Sequence, residues 1–341
     1  MSALIQHTEP APTRLPPDWS GIGGCALPVA PDAATALLDS HALVLAGTGP
    51  LVAEVDFTEH LCGPGTALWI RPGQAVRFGE PPGDTATIIF RPGLFGPEEL
   101  PGLAPDDPAG PATRPLSLPG PDVLRSAFAH LTADADGPPG TVAAALLRHQ
   151  LAAVLLRLRA AEPAVDPAGH VEGRTFERFQ RRLEEGYPHT RRVEDYAAEL
   201  GCSVRTLTRA SLALTGRTAK QVVDDRVALQ ARRLLAATPL SVAEVGRILG
   251  FGEPTNFGRF FHRETGLSPG QFRGRYPAGP DGAYPVSDVP STERHPARRG
   301  PEHPAPAEQT LTGTPLTGPG DAKTETPGAG RQPRGWGRRQ V

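Results

Sequence analysis

The residues best equipped for chemistry in this chain are arginines that recur at a fixed step. Arg209 stands seven residues before Gly216, and Arg259 stands seven residues before Gly266. Around each, the chain repeats itself. The first copy reads Leu200-Gly201, Leu207-Thr208-Arg209, Thr215-Gly216, Thr218 and Gln221-Val222; the second reads Leu249-Gly250, Phe257-Gly258-Arg259, Thr265-Gly266, Ser268 and Gln271-Phe272. A guanidinium on the outer face of a helix offers a planar fork of donors and a permanent charge, which suits phosphate oxygens and the guanine edge. A short helix, a glycine turn and a second helix with an outward arginine, written twice, predict a duplicated helix-turn-helix that reads DNA.

Other chemistries lack their residues. Cys25, Cys62 and Cys202 are scattered, with no CxxC and no Cys/His cluster, so neither a disulfide framework nor a zinc site is expected. A metal-dependent enzyme would need several imidazoles and a carboxylate converging, whereas His41 and His60 stand alone and no His-x-His occurs. The expectation is a binding protein and not an enzyme, with no cofactor and no metal.

Charge segregates along the chain. Residues 1–173 hold 9 Arg and Lys against 19 Asp and Glu, residues 174–275 hold 18 against 11, and the rest hold 8 against 7. A basic segment beside an acidic one fits a nucleic-acid module joined to a different domain. No apolar run of membrane-spanning length and no signal peptide are read, so a cytoplasmic protein without a membrane partner is expected.

The elements that position the arginines follow from pattern. Residues 1–20 read as a Pro-rich lead-in, 21–161 as a strand-rich domain with two helices, 162–173 as a linker, 174–276 as the reader, and 277–341 as a disordered Pro/Gly-rich tail ending in the basic cluster Arg331, Arg334, Arg338 and Arg339. Short strands are predicted at Ala42–Ala46, Leu51–Phe57, Thr66–Arg71, Ala75–Phe78 and Thr85–Phe90, with Leu51, Ala53, Val55 and Phe57 on one face. Such spacing suggests an antiparallel barrel or sandwich. Helices are predicted over Pro121–Ala133 and Thr141–Ala161. Leu147, Leu151, Val154 and Leu158 form a stripe on the second, read as a homodimer seam, with packing on its own domain as the alternative.

In the reader, Ser241 and Glu244 make a capping box, Val245 and Leu249 face inward, Gly246 permits close helix approach and Gly250 turns the chain. Phe257, Phe260 and Phe261 are inward, leaving Thr255, Asn256, Gly258 and Arg259 outward. The first copy puts Val193, Tyr196, Leu200 and Leu207 inward and Arg205, Thr208 and Arg209 outward, with Arg192 where a cap would stand. Thr218–Ala237 reads as one long spacer helix with Val223, Val227, Ala231 and Leu234 on a stripe.

These residues resemble the DNA-binding domain of the AraC/XylS family, on Gly250-Phe251, Phe257, Arg259, Phe261, Gly266, Ser268-Pro269 and Phe272-Arg273. The resemblance covers about one hundred residues. It implies two helix-turn-helix units entering successive major-groove segments of double-stranded DNA, with Arg205, Thr208 and Arg209, then Thr255, Asn256, Gly258 and Arg259, as contact residues. Pro254 and Gly258 depart from the polar residues common there, which shifts base reading toward the first unit. The front half is similar to a cupin-like sensing domain through Gly65–Gly73, which implies an N-terminal cupin-like β-barrel ahead of the all-α twin reader. His60, Trp69, Arg71 and Arg77 are then candidates for an effector pocket. The whole implies an α+β transcriptional regulator modulated by a small-molecule effector, contacting RNA polymerase if it activates. A DNA-binding module without effector response and a metal-dependent cupin enzyme are the alternatives.

Overall fold

The computed structural model describes residues 21–25, 35–79, 84–96, 98–110, 113–118, 120–138, 140–161 and 171–276. The expected lead-in, most of the linker and the tail with its arginine cluster lie outside the described residues. All the described residues belong to one unit, Met1–Pro290.

Among the described residues nine strands come first: β1 (Ile22–Cys25), β2 (Ala36–Leu37), β3 (His41–Leu45), β4 (Leu51–Val55), β5 (Thr58–Cys62), β6 (Ala67–Ile70), β7 (Ala75–Phe78), β8 (Ala86–Phe90) and β9 (Pro115–Leu116). They pair antiparallel in two separate sheets, ordered β1-β8-β3-β6-β9 and β2-β7-β4-β5. No strand bridges the two among the described residues, which therefore form two sheets joined through a shared core and not the expected closed barrel. Side-chain alternation explains why β3 is buried at all five positions. Ala42 and Val44 meet Leu51, Ala53, Val55, Val76 and Phe78 of the other sheet. Leu43 and Leu45 point the opposite way, toward α1 (Pro121–Ala135) and α2 (Thr141–Ala161).

That second core corrects one expectation. Leu147, Leu151, Val154 and Leu158 are at most 5% exposed, packed with Leu124, Phe128 and Leu131 of α1 against the five-stranded sheet. A helical stripe says which face is buried but not against what, and here the partner is the chain's own sheet. α2 is also long and apolar enough to cross a membrane by length and composition alone; its buried face is built into this core.

The reader consists of α3 (Val171–Gly186), α4 (Val193–Glu199), α5 (Val204–Thr215), α6 (Ala219–Ala237), α7 (Val242–Ile248), α8 (Pro254–Thr265) and α9 (Pro269–Arg275). α3 begins inside the expected linker and supplies Phe176, Phe179 and Leu183 to the first unit's core. The α6 stripe serves both units: Val223 lies in the core with α3, α4 and α5, while Val227, Ala231 and Leu234 lie with α7, α8 and α9.

The sheets grip the reader at the tip of the β4–β5 hairpin. Val55 pairs with Thr58, leaving a two-residue turn of Asp56 (φ 50°) and Phe57 (φ 66°). The alternation of the sequence puts Phe57 inside a strand. Instead it caps the turn in a backbone region that costs a bulky side chain energy and persists only where its surroundings hold it. Those surroundings are Phe272 and Tyr276, 5.3 and 5.0 Å from its ring centroid, and the Arg232 guanidinium at 5.1 Å. Arg233 on α6 donates through Nε and Nη2 to both Asp56 oxygens, at 2.7 and 2.6 Å. Burial pulls the Asp56 carboxyl upward, but Arg233, Gln74 and the Ala75 amide outweigh it and hold it below the ordinary carboxylate range. A second grip, Arg181 of α3 on Asp107, is more exposed.

Candidate nucleic-acid interface

In the first unit, Tyr196 is buried on α4 and donates its hydroxyl proton to the Thr190 carbonyl at 2.9 Å. Burial pushes this phenol up to about 12, so it stays protonated as a donor. Arg192 occupies the N-cap of α4 with no side-chain bond, as the sequence suggests. α5 starts on Ser203, whose Oγ accepts from the Thr206 amide at 3.1 Å. Leu207 and Ala210 anchor α5 inward. Arg205 and Arg209 are exposed, with Thr208 half-buried between them. Arg209 lies 3.3 Å from Glu172 of α3, and its side chain is 66% exposed. On a surface this open the pair is worth only about 0–1 kcal/mol, so it presents the arginine without locking it.

The second unit is capped on its other helix. Ser241 and Glu244 form the expected box on α7, whereas α8 begins at Glu253 with no side-chain cap and Pro254 in its first turn. A Cβ on Gly246 would come within 3.1 Å of Phe257 Cβ, so this glycine sets the closeness of α7 and α8. Gly250 turns the chain at φ 74° with the Pro188 carbonyl 3.0 Å from any added Cβ, which excludes another residue on both counts. Phe257, Phe260 and Phe261 are buried; Thr255, Asn256 and Arg259 are exposed and Gly258 is half-exposed.

The structure therefore brings the DNA-contact candidates onto two outward helix faces held by one rigid helix. It does not gather the effector candidates. Trp69 is buried on the helix-side face of the five-stranded sheet, with the Arg71 guanidinium 5.3 Å from its ring. His60 is half-buried on β5 of the other sheet. Arg77 pairs with Glu54 and lies 5.3 Å over Tyr276 of the reader.

Sequence reasoning missed His41. Its ring stacks on Phe90 at 4.5 Å, its Nδ1 accepts from Trp69 Nε1 at 3.2 Å, and its Nε2 lies 2.9 Å from Asp106 Oδ1. The indole proton needs a lone pair on Nδ1, so the ring is neutral with its hydrogen on Nε2, donating to Asp106. Burial lowers its pKa from 6.5 despite the opposing pull of Asp106. A histidine opening a strand carries no sequence signal for a partner 65 residues away.

Comparison with known proteins agrees with this geometry. A family described as "Helix-turn-helix domain" matches residues 196–275. The ornithine utilization regulator of Pseudomonas aeruginosa is 40% identical over 84 residues, 24% of this chain and 24% of that protein. The HTH-type transcriptional activator RhaR of Salmonella heidelberg is 33% identical over 81 residues, 24% of this chain and 29% of that protein. The chain thus spans about a quarter of the length of these curated relatives. Among solved structures, the DNA-binding domain of AdpA in complex with a target DNA is 34% identical, covering 30% of this chain and 91% of that one, at a TM-score of 0.28. The C-terminal region of this chain is an AraC-type helix-turn-helix domain.

Proposed function

We propose that this protein is a sequence-specific, DNA-binding transcriptional regulator of the AraC family, acting in the cytoplasm on double-stranded promoter DNA. The observation that carries the reading is the pair of outward faces, α5 with Arg205, Thr208 and Arg209 and α8 with Thr255, Asn256 and Arg259, fixed on one helix that shares both cores. Selection of duplexes from a random library by the full-length protein tests it. Enrichment of a two-part site supports the reading, and recovery of no preferred sequence overturns it.

The two-sheet domain is the natural place for a small-molecule effector, and a protein that activates would also meet RNA polymerase. Of the four effector candidates, Trp69 and Arg71 stand together with His41, so this group is the one to test. His60 and Arg77 serve other surroundings.

A homodimer fits the reading if its seam moves to the outward face of α2. Val142 and Leu146 are 83% and 46% exposed there, with Ala145 and His149 beside them. Leu146→Glu should give a folded monomer in sedimentation, whereas Leu151→Glu should disrupt the fold because it places a charge in a dry core. A dimer unchanged by Leu146→Glu would remove α2 from the interface.

A further inference from the structure

Between the two reader units lies a cleft of about 730 Å³ that reaches beyond the outward face of α8. Arg191 and Arg192 wall it from the segment before α4, Lys220 from the first turn of α6, and Asn256, Arg259 and Arg263 from α8. Five of these six side chains are cations. The carboxylate on the wall is Asp224, and its oxygens are engaged by Lys220 and by Arg263 at 3.3 Å. Among the described residues, Arg191, Arg192 and Arg259 make no ion pair. Arg191 lies 3.6 Å from the centroid of the Phe251 ring, with Nη2 3.5 Å from the Gly250 carbonyl oxygen, so its charge is held at the wall. Converging cations with one shared carboxylate leave an excess of positive charge in a concave space, where field lines concentrate and an anion is drawn in.

The position of this space says which anion. Asn256 and Arg259 belong both to the cleft wall and to the outward face of α8. A duplex lying against α8 therefore passes the mouth of the cleft, and its strand must cross from the groove segment at α5 to the segment at α8. We propose that the cleft seats a backbone phosphodiester of that crossing strand, held by Arg192, Lys220 and Arg259 with Arg191 and Arg263 behind them. The inference rests on the DNA-reading function proposed above. Such a contact carries no base information. It fixes register, so each recognition helix meets its own groove segment.

The test uses the full-length protein with a random-sequence duplex and with the duplex recovered by selection. Each lost phosphate contact should make the dependence of log Kobs on log salt shallower by about 0.9. Arg192→Gln and Lys220→Gln should each show that change on both duplexes while the order of preferred bases stays as in the parent. Arg192→Lys should retain the slope, because charge and not the planar fork is at issue. Arg182→Gln removes a cation of α3, outside the cleft wall, that is paired with Glu185 of α3 and Glu199 of α4, and should leave the slope as it was. Thermal midpoints check folding, and Arg192 makes no capping bond whose loss would weaken α4. Parental slopes in both Gln variants overturn the proposal while leaving the reader intact. The proposal also falls if the variants lose binding of inorganic phosphate yet keep the DNA slope, which would reassign the cleft to a soluble anion. A parent protein that binds no DNA overturns the reader and the cleft together.

Discussion

In the first reader unit the side-chain cap sits on the recognition helix, where Ser203 starts α5; in the second it sits on the preceding helix, where Ser241 and Glu244 start α7. The units share their turn glycines and inward anchors, but they differ in what they present and in how they are held. α5 opens with Arg205, Thr208 and Arg209 outward. α8 opens with Pro254, and Gly258 stands where Thr208 stands in α5, so it has fewer side chains that can meet a base edge. The second unit is tied to the sheets through the largely covered Arg233–Asp56 pair and the partly buried Phe57, while the first is tied through the more exposed Arg181–Asp107 pair. The two copies thus share a scaffold and differ in what they present, and under the DNA-reading function proposed above that difference predicts a division of labour: base reading by α5, and positioning by α8 beside the basic cleft.

The largest expected effect separates the two grips. Asp56→Ala leaves Arg233 buried and unpaired, and removing one partner of a buried pair costs about 3–5 kcal/mol; urea unfolding of the full chain measures it. Asp107→Ala breaks a partly exposed pair and should cost about 0.2–1 kcal/mol. Equal losses would erase the contrast. The Asp56 contribution also has a pH signature. Its folded pKa lies below the ordinary 3.8, so its stabilisation is whole above pH 3.8 and drains as pH falls through the folded value. Asp56→Asn should lack that part of the acid limb.

A smaller effect concerns caps. Ser203→Ala and Ser241→Ala should each cost about 1 kcal/mol, but only the first frays the helix that carries Arg205 and Arg209. It should therefore weaken DNA binding beyond its effect on the unfolding midpoint, while Ser241→Ala should weaken both in proportion. The smallest effect is expected from Glu172→Ala, which frees Arg209 from a surface pair worth about 0–1 kcal/mol. Affinity should rise slightly at low salt; a clear fall would make Glu172 a needed positioning residue.

Much of the reader was legible because its signals are local. Caps at Ser241, the turn at Gly250 and the phenylalanine spacing of α8 each act within a few residues. The sheets were legible where apolar runs met Gly or Pro, as at β3, β6 and β7. β5 escaped because Thr58, Glu59 and His60 look polar, and the turn before it escaped because Asp56-Phe57 lacks the glycine that usually marks such hairpins. What the sequence could not carry was pairing over distance. Arg233 looks like any surface arginine on a helix until Asp56, 177 residues away, is placed beside it. The α2 stripe announced a buried face without naming its partner, and nothing local tells two open sheets from a closed barrel.

The division of labour expected between Arg209 and Arg259 is read out by the DNA binding of their alanine variants. The full-length protein, Arg209→Ala and Arg259→Ala are compared on single-base variants of the selected duplex at two salt concentrations. Arg209→Ala should flatten base preference in its half of the site, by about 1–3 kcal/mol at the contacted pair. Arg259→Ala should weaken binding evenly across the variants and make the salt dependence shallower by about 0.9. If Arg259→Ala relaxes base preference in its own half as sharply as Arg209→Ala does, both units read bases alike and the account is wrong.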